Sequence, residues 1–177
     1  MDTWTAITTR RAVRDFDGRP LDPAHLERIC EAGRRAPSSM NEQRWDFIVC
    51  VDREHLHELA QVGDYAGHLA GAAAAVALVT PDAAEGWLRE SIAFDLGQAA
   101  QNMMLAAWDL GIGSVHASVY DEERTRLLLG YPEGMRCDVL LSFGYPADPG
   151  VLGRPPSGGR KPLDDLIHLE RWGARRS

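Results

Sequence analysis

The chain has 177 residues, 45% of them hydrophobic and 25% charged, and a formal net charge of −7. That length suits a single domain spanning residues 1–177, able to bury roughly 70% of its unfolded surface without covalent staples. The acidic balance argues against nucleic acid as a partner, and the three cysteines (Cys30, Cys50, Cys137) sit in apolar runs without CxxC spacing, which favours reduced, buried thiols.

The opening stretch MDTWTAITTRR lacks the long apolar segment of a secretory leader. The most apolar run, AGAAAAVALVT, is too short and too rich in alanine for a membrane span, which takes about 20 residues. No membrane association is expected, and a cytoplasmic location is. Asp2 or Thr3 caps a first helix that carries Trp4 and Ile7 and ends near the following arginines. Asp22-Pro23 pairs a cap with proline at the first helical position, and the helix after it places Leu26, Ile29, Cys30 and Gly33 on one face. WDFIVCV predicts a strand, Asp52 caps a short helix with Leu56 and Leu59, and Ala73–Thr80 predicts a second strand, buried because it lacks polar alternation.

Glu85–Leu110 is the longest helical pattern, closed by Gly111. It is apolar on more than one side, with Ile92, Leu96, Ala99 and Met103 but also Ala93, Gly97, Ala100, Met104 and Ala107. A helix of that kind is buried, in a monomer's core or, the reading favoured by Gly97 and the alanines, against a partner chain. Ile112–Val119 predicts a third strand, Glu122–Leu129 a helix and Val139–Gly144 a fourth strand. Tyr145–Gly159 is Pro/Gly-rich and reads as a surface excursion. The tail PLDDLIHLERWG keeps Leu163, Leu166, Ile167, Leu169 and Trp172, so docking is expected of it rather than fraying. The balance predicts an α+β fold, a small sheet wrapped by helices.

Absent motifs narrow the chemistry. There is no GxGxxG after a strand, no GxxxxGK[ST] loop and no GxSxG elbow. HLHEL places histidines at i and i+2, off a common helical face, so HExxH zinc chemistry is excluded and no metal is expected. His55, His57 and His68 read as surface histidines, and no catalytic acid–base pair is evident. Arg10 and Arg14 stand one helical turn apart and either grip a phosphate together or end the helix and pair with Asp15 and Asp17. Arg160-Lys161 reads alone as a solvated pair. APSSMNEQRW is either a turn or a hydrogen-bonding surface for a planar ring.

Taken in order, RRAVRDF, APSSMNEQRW, DLGQAAQNMMLAAWDLGIGS, SFGYPA and GGRKPLDDLIH resemble the flavin-dependent nitroreductase family across nearly the whole chain. The resemblance implies a small mixed central sheet surrounded by helices, in an interlocked homodimer with FMN at the subunit interface. It implies that Arg10, Arg11 and Arg14, completed by Arg160 and Lys161, bind the phosphate and pyrimidine edge of FMN. Pro37, Ser38, Ser39, Asn41 and Gln43 resemble residues supplied by the other subunit, and Val115, His116, Ala117 and Ser118 the strand beside the isoalloxazine. NADH or NADPH would be the transient donor and a nitroaromatic, quinone or similar small molecule the acceptor, in a ping-pong scheme with no catalytic residue assigned. Alternatives are a non-catalytic flavin-sequestering dimer and a flavin-fragmenting or dehalogenating enzyme. Four positions depart from the family pattern: Ala12 replaces a frequent Ser, Arg44 puts a mobile cation where relatives place proline, and Ser118-Val119 replace Glu-Gly.

Overall fold

The structure is a computed structural model, and the residues it describes are 1–153 and 159–175. Local capping chemistry places the helices. The Asp2 carboxylate accepts the Thr5 amide at 3.0 Å and opens α1 (Thr3–Thr9). Asp22 accepts the Ala24 amide at 2.9 Å, with Pro23 at the first position of α2 (Pro23–Arg34). Asp52 caps α3 (Arg53–Leu59) through the His55 amide. The long helix α4 (Trp87–Asp109) ends before Gly111, whose φ of +73° is a left-handed conformation that costs a residue without Cβ little. Asp121 caps α5 (Glu122–Leu129) through the Arg124 amide.

Four strands, β1 (Asp46–Cys50), β2 (Ala74–Pro81), β3 (Gly113–Ser118) and β4 (Met135–Gly144), form one sheet in the order β1-β2-β4-β3. All three pairings are antiparallel, with Ile48 opposite Ala77, Val76 opposite Leu141 and Val115 opposite Ser142. The mixed character expected of the sheet is confined to one parallel bridge, Ala12 to Ser114, at its β3 edge. Strand β4 starts at Met135, not at Val139 as the sequence suggested. Polar Arg136 and Asp138 hid this extension: they flank the buried Cys137 and pair with each other at 3.0 Å, while Arg136 also reaches Asp82 at 3.1 Å.

Side-chain alternation along β2 builds a core on each face of the sheet. Ala75, Ala77 and Val79 join Leu56, Leu59, Val62, Leu69 and Leu140 on the face covered by α3 and α5. Val76 and Leu78 join Ile29, Leu96, Met103, Ile112 and Phe143 on the face covered by α2 and α4. Each fully buried Leu or Phe contributes about 1.5–3 kcal/mol, so β2, wet on neither face, is the thermodynamic centre of the molecule. Gly33 lets α2 approach α4 closely, since a Cβ there would lie 2.2 Å from Met103 Cε. The Trp108 indole N–H donates to Thr9 Oγ1 at 2.9 Å and ties α1 to α4.

One face of α4 is buried in this way, while Ala93, Phe94 and Gly97 remain exposed, Phe94 by 72%. In the excursion after β4, Pro149–Leu152 form a single 3₁₀ turn, and residues 154–158 lie outside the described residues. The tail closes on itself: the His168 and Trp172 rings stack at 4.2 Å, and the Gly173 amide donates to His168 Nδ1 at 2.8 Å. Its apolar groups still face outward in this single chain, Trp172 by 91%, together with Leu163 and Leu166.

Candidate functional site

The arginine-bearing segment is extended, which corrects the helical-turn spacing expected for Arg10 and Arg14. Helix α1 stops at Thr9, and the chain then runs along the free edge of β3 and past the end of β4. The Val13 amide donates to the Ser114 carbonyl at 3.1 Å, the Asp17 amide to Tyr145 at 3.0 Å and the Ala147 amide to Asp15 at 3.0 Å. A Cβ at Gly113 would come within 2.7 Å of Val13, so this glycine permits the close approach.

Arg10, Arg11 and Arg14 are thereby presented beside β3 without counter-charges. Among the described residues no carboxylate pairs with any of the three, and Asp17 pairs instead with Arg19 at 2.6 Å. The Arg11 guanidinium has Nε and Nη2 buried without a hydrogen-bond partner, as is the hydroxyl of Ser114. Arg10 makes only a 3.7 Å contact to Met104 Sδ, and burial first, then the Arg160 charge, lowers its pKa. Arg160 therefore lies close enough to Arg10 to be felt, bringing the two sequence-distant basic groups into one field. Lys161 is exposed.

Next to this segment a cleft of about 540 Å³ is lined by Arg14, Asp64, Tyr65, His68, His116 and Ser118. Of the β3 residues singled out from sequence, His116 and Ser118 point outward, whereas Val115 and Ala117 are buried on the opposite, core-facing side. His68 is not the surface histidine expected. Both its ring nitrogens are buried without a partner, and desolvation, helped by the Arg14 charge, pushes its pKa down to about 4. The imidazole is therefore neutral at pH 7. Only the fold reveals this: the 3₁₀ turn Gly67–Gly71 carries His68 to Arg14 and β3, and no local sequence signal marks it.

The polar loop between α2 and β1 packs on α4 and leads into the opposite edge strand β1, which is three strand spacings or roughly 14 Å from β3. Met40, Asn41 and Gln43 all have positive φ (54°, 57° and 49°), a conformation costing non-glycine residues of order 1–3 kcal/mol each. The Gln43 amide donates to Ser38 Oγ at 3.0 Å, the Ser39 amide to Asp95 Oδ2 at 2.8 Å, and Ser91 Oγ to Ser39 Oγ at 2.7 Å. Asn41 is exposed. Pro37 lines a cleft with Phe94, Gly97 and Gln101 of α4, and Gln43 another with α2 and β1. Arg44 is not the mobile cation expected: its side chain is largely covered and ion-paired with Glu42, with Nη1 buried and unpartnered. Within one chain, the candidate residues thus form two half-sites that no hydrogen bond or ion pair joins among the described residues.

Unpaired guanidinium groups beside a strand edge fit a ligand that carries a phosphate, because charge-assisted bonds from a planar fork to phosphate oxygens satisfy the buried donors. Comparison with known proteins identifies the family. Residues 7–145 match the model of the Nitroreductase family. A protein of Archaeoglobus fulgidus, named provisionally as an NADH dehydrogenase/NAD(P)H nitroreductase, is 34% identical over 94% of this chain and 96% of its own length. An NADPH-flavin oxidoreductase of Vibrio harveyi is 28% identical over 88% of this chain and 71% of its own. The fold is shared with an FMN-dependent nitroreductase of Clostridium difficile R20291 (TM-score 0.81, 21% identity, 96% of this chain and 100% of that one). With the family's model matched over most of its length and a relative 34% identical across nearly all of it, the chain belongs to the nitroreductase family.

Proposed function

We propose that the protein is an FMN-dependent NAD(P)H oxidoreductase, working as a homodimer on nitroaromatic, quinone or similar electron-poor acceptors. The observation that carries this reading is the cluster of arginines without an ion-pair partner among the described residues, above all half-buried Arg11 with two buried, unpartnered guanidinium nitrogens. In a protein of net charge −7, such a group calls for an anion of its own. The names of relatives supply the chemistry that goes with it: NADH dehydrogenase, NAD(P)H nitroreductase and NADPH-flavin oxidoreductase. When bound, FMN would supply the redox chemistry, taking hydride from NAD(P)H and passing reducing equivalents to the acceptor in a ping-pong scheme.

The chain's own groups bind and orient. Arg11, with Arg10 and Arg14, would hold the phosphate, and Arg160 and Lys161 would add positive potential from the tail. Strand β3 offers His116 and Ser118 as a floor beside the ring, while neutral His68 adds no competing positive charge at pH 7. The loop carrying Pro37, Ser38, Ser39, Asn41 and Gln43 makes no hydrogen bond or ion pair with the arginine segment of its own chain among the described residues. It would instead serve the site of a second copy, joined through the apolar strip of α4 and the outward-facing tail. No side chain is assigned as acid or base.

Anaerobic titration of the purified yellow protein with NADH and with NADPH tests the reading. Loss of the oxidised-flavin band with at least one donor, then recovery on adding a nitroaromatic or quinone, is the expected result. A protein that binds FMN but is bleached by neither donor is a flavin-sequestering dimer. A colourless protein that binds no FMN defeats the proposal.

A further inference from the structure

We infer that Asp95 is the positioning residue for the polar loop, fixing through the Ser39 amide the surface that one subunit offers to the other's cofactor. The inference rests on the proposed FMN reading for its functional meaning, but the tether itself stands on geometry. Asp95 lies on the inner side of α4 and is only 4% exposed. Among the described residues no cation pairs with it, and its hydrogen bond is the 2.8 Å contact from the Ser39 amide. A carboxylate held in a helix–loop junction for one neutral N–H is an expensive choice, justified where that N–H must not move.

The loop has reason to need such a tether. Three non-glycine residues of positive φ in four positions do not hold themselves in place. Bonds within the loop connect its own parts: the Asn41 amide to the Ser38 carbonyl at 2.9 Å, the Glu42 amide to the Ser39 carbonyl at 3.1 Å, and the Gln43 amide to Ser38 Oγ at 3.0 Å. They close the turn without fixing where it sits. Attachment to the body of the protein comes at Ser39, whose amide reaches Asp95 and whose hydroxyl accepts from Ser91 Oγ, one helical turn away on α4. Beyond that anchor Met40 stands 82% exposed at the crest. Asp95 acts through Ser39 and need not touch any ligand.

Two measurements decide the matter. In the unmodified protein, amide hydrogen exchange resolved by NMR should show Ser39 protected at least about tenfold over Met40, whose amide has no acceptor among the described residues. Equal exchange at the two amides overturns the inference whether or not FMN binds. In the second, Asp95→Ala should raise the Kd for FMN about tenfold or more in the folded dimer, with loop amides deprotected. Asp95→Asn, which keeps an acceptor oxygen, should recover most of the affinity. FMN affinity unchanged in folded Asp95→Ala overturns the inference, as does an Asn variant no better than Ala. If Asp95→Ala does not fold, the exchange measurement and the Asn variant decide. An unmodified protein that shows the Ser39 protection yet binds no FMN defeats the functional reading and leaves the tether standing.

Discussion

Replacing Gly113 with alanine should dislodge the arginine segment from β3. The added Cβ would lie 2.7 Å from both Cβ and Cγ1 of Val13 and 2.9 Å from Cγ2. Carbon atoms prefer separations of about 3.5–4.0 Å, so the overlap is near 1 Å on three atoms at once. Val13 is buried and β-branched, and no rotamer swings all three clear. Relief must come from the backbone, which is held by the 3.1 Å bond from the Val13 amide to the Ser114 carbonyl. Lifting the segment by the overlap stretches that bond to about 4 Å, past the useful range. Overpacking of this kind costs about 1–3 kcal/mol and the lost bond about 1 kcal/mol. A total on the order of 2–4 kcal/mol corresponds to a Tm lower by about 4–16 °C for a chain of this size. Urea unfolding followed by tryptophan fluorescence measures the loss, and an FMN titration should show weakened binding because Arg11 and Arg14 move with Val13. Unchanged stability together with unchanged FMN affinity would mean that the segment does not sit on β3 as described.

Arg11→Met should behave oppositely in the two states. Removing two buried, unpartnered guanidinium nitrogens stabilises the cofactor-free protein by about 1–3 kcal/mol, while the Tm increase produced by added FMN shrinks; thermal melts with and without FMN read both. His68 has a folded pKa of about 4 against 6.5 for the free side chain, so the unfolded chain binds the extra proton first. Its contribution is fully present above pH 6.5 and is lost as pH falls towards 4. A His68→Gln variant should show a flatter stability profile across that window in urea titrations, and an equally steep profile would clear His68 of the effect. Gly97→Ala adds a methyl that meets nothing within 4 Å in this chain and improves helix propensity by about 0.8–1.0 kcal/mol. If a second copy covers α4, the same methyl should weaken dimerisation, a split that analytical ultracentrifugation and thermal melts separate.

What could be read from the sequence was what is encoded locally. Asp2, Asp22-Pro23, Asp52 and Gly111 announced helix ends because capping depends on neighbours a few residues away. The uninterrupted apolar run of β2 revealed a strand buried on both faces. Strand β4 looks shorter in the sequence than in the fold because Arg136 and Asp138 resemble turn residues until their mutual pairing is seen. The arginines were found, but their conformation was not: helical spacing and extended spacing differ only in what the segment packs against, and β3 is a hundred residues away. The same separation concealed His68 beside Arg14 and Asp95 beneath Ser39. Arg44 looked mobile because its partner Glu42 reaches it only through a loop of left-handed residues. The division of the candidate residues between opposite sheet edges also follows from strand order rather than from any motif.

That division has a genetic consequence. A gene copy altered at Arg11 spoils the half-site its chain builds at β3 but leaves its own 37–43 loop sound, and a copy altered at Asp95 does the reverse. In the proposed dimer, a mixed pair of such chains combines the sound loop of the first with the sound arginines of the second at one of its two centres. Two inactive alleles should therefore complement each other when co-expressed, whereas two alleles altered in the same half-site should not. Recessive defects in such a protein would sort into two complementation groups within a single gene, and the boundary between them would map the two halves of the site.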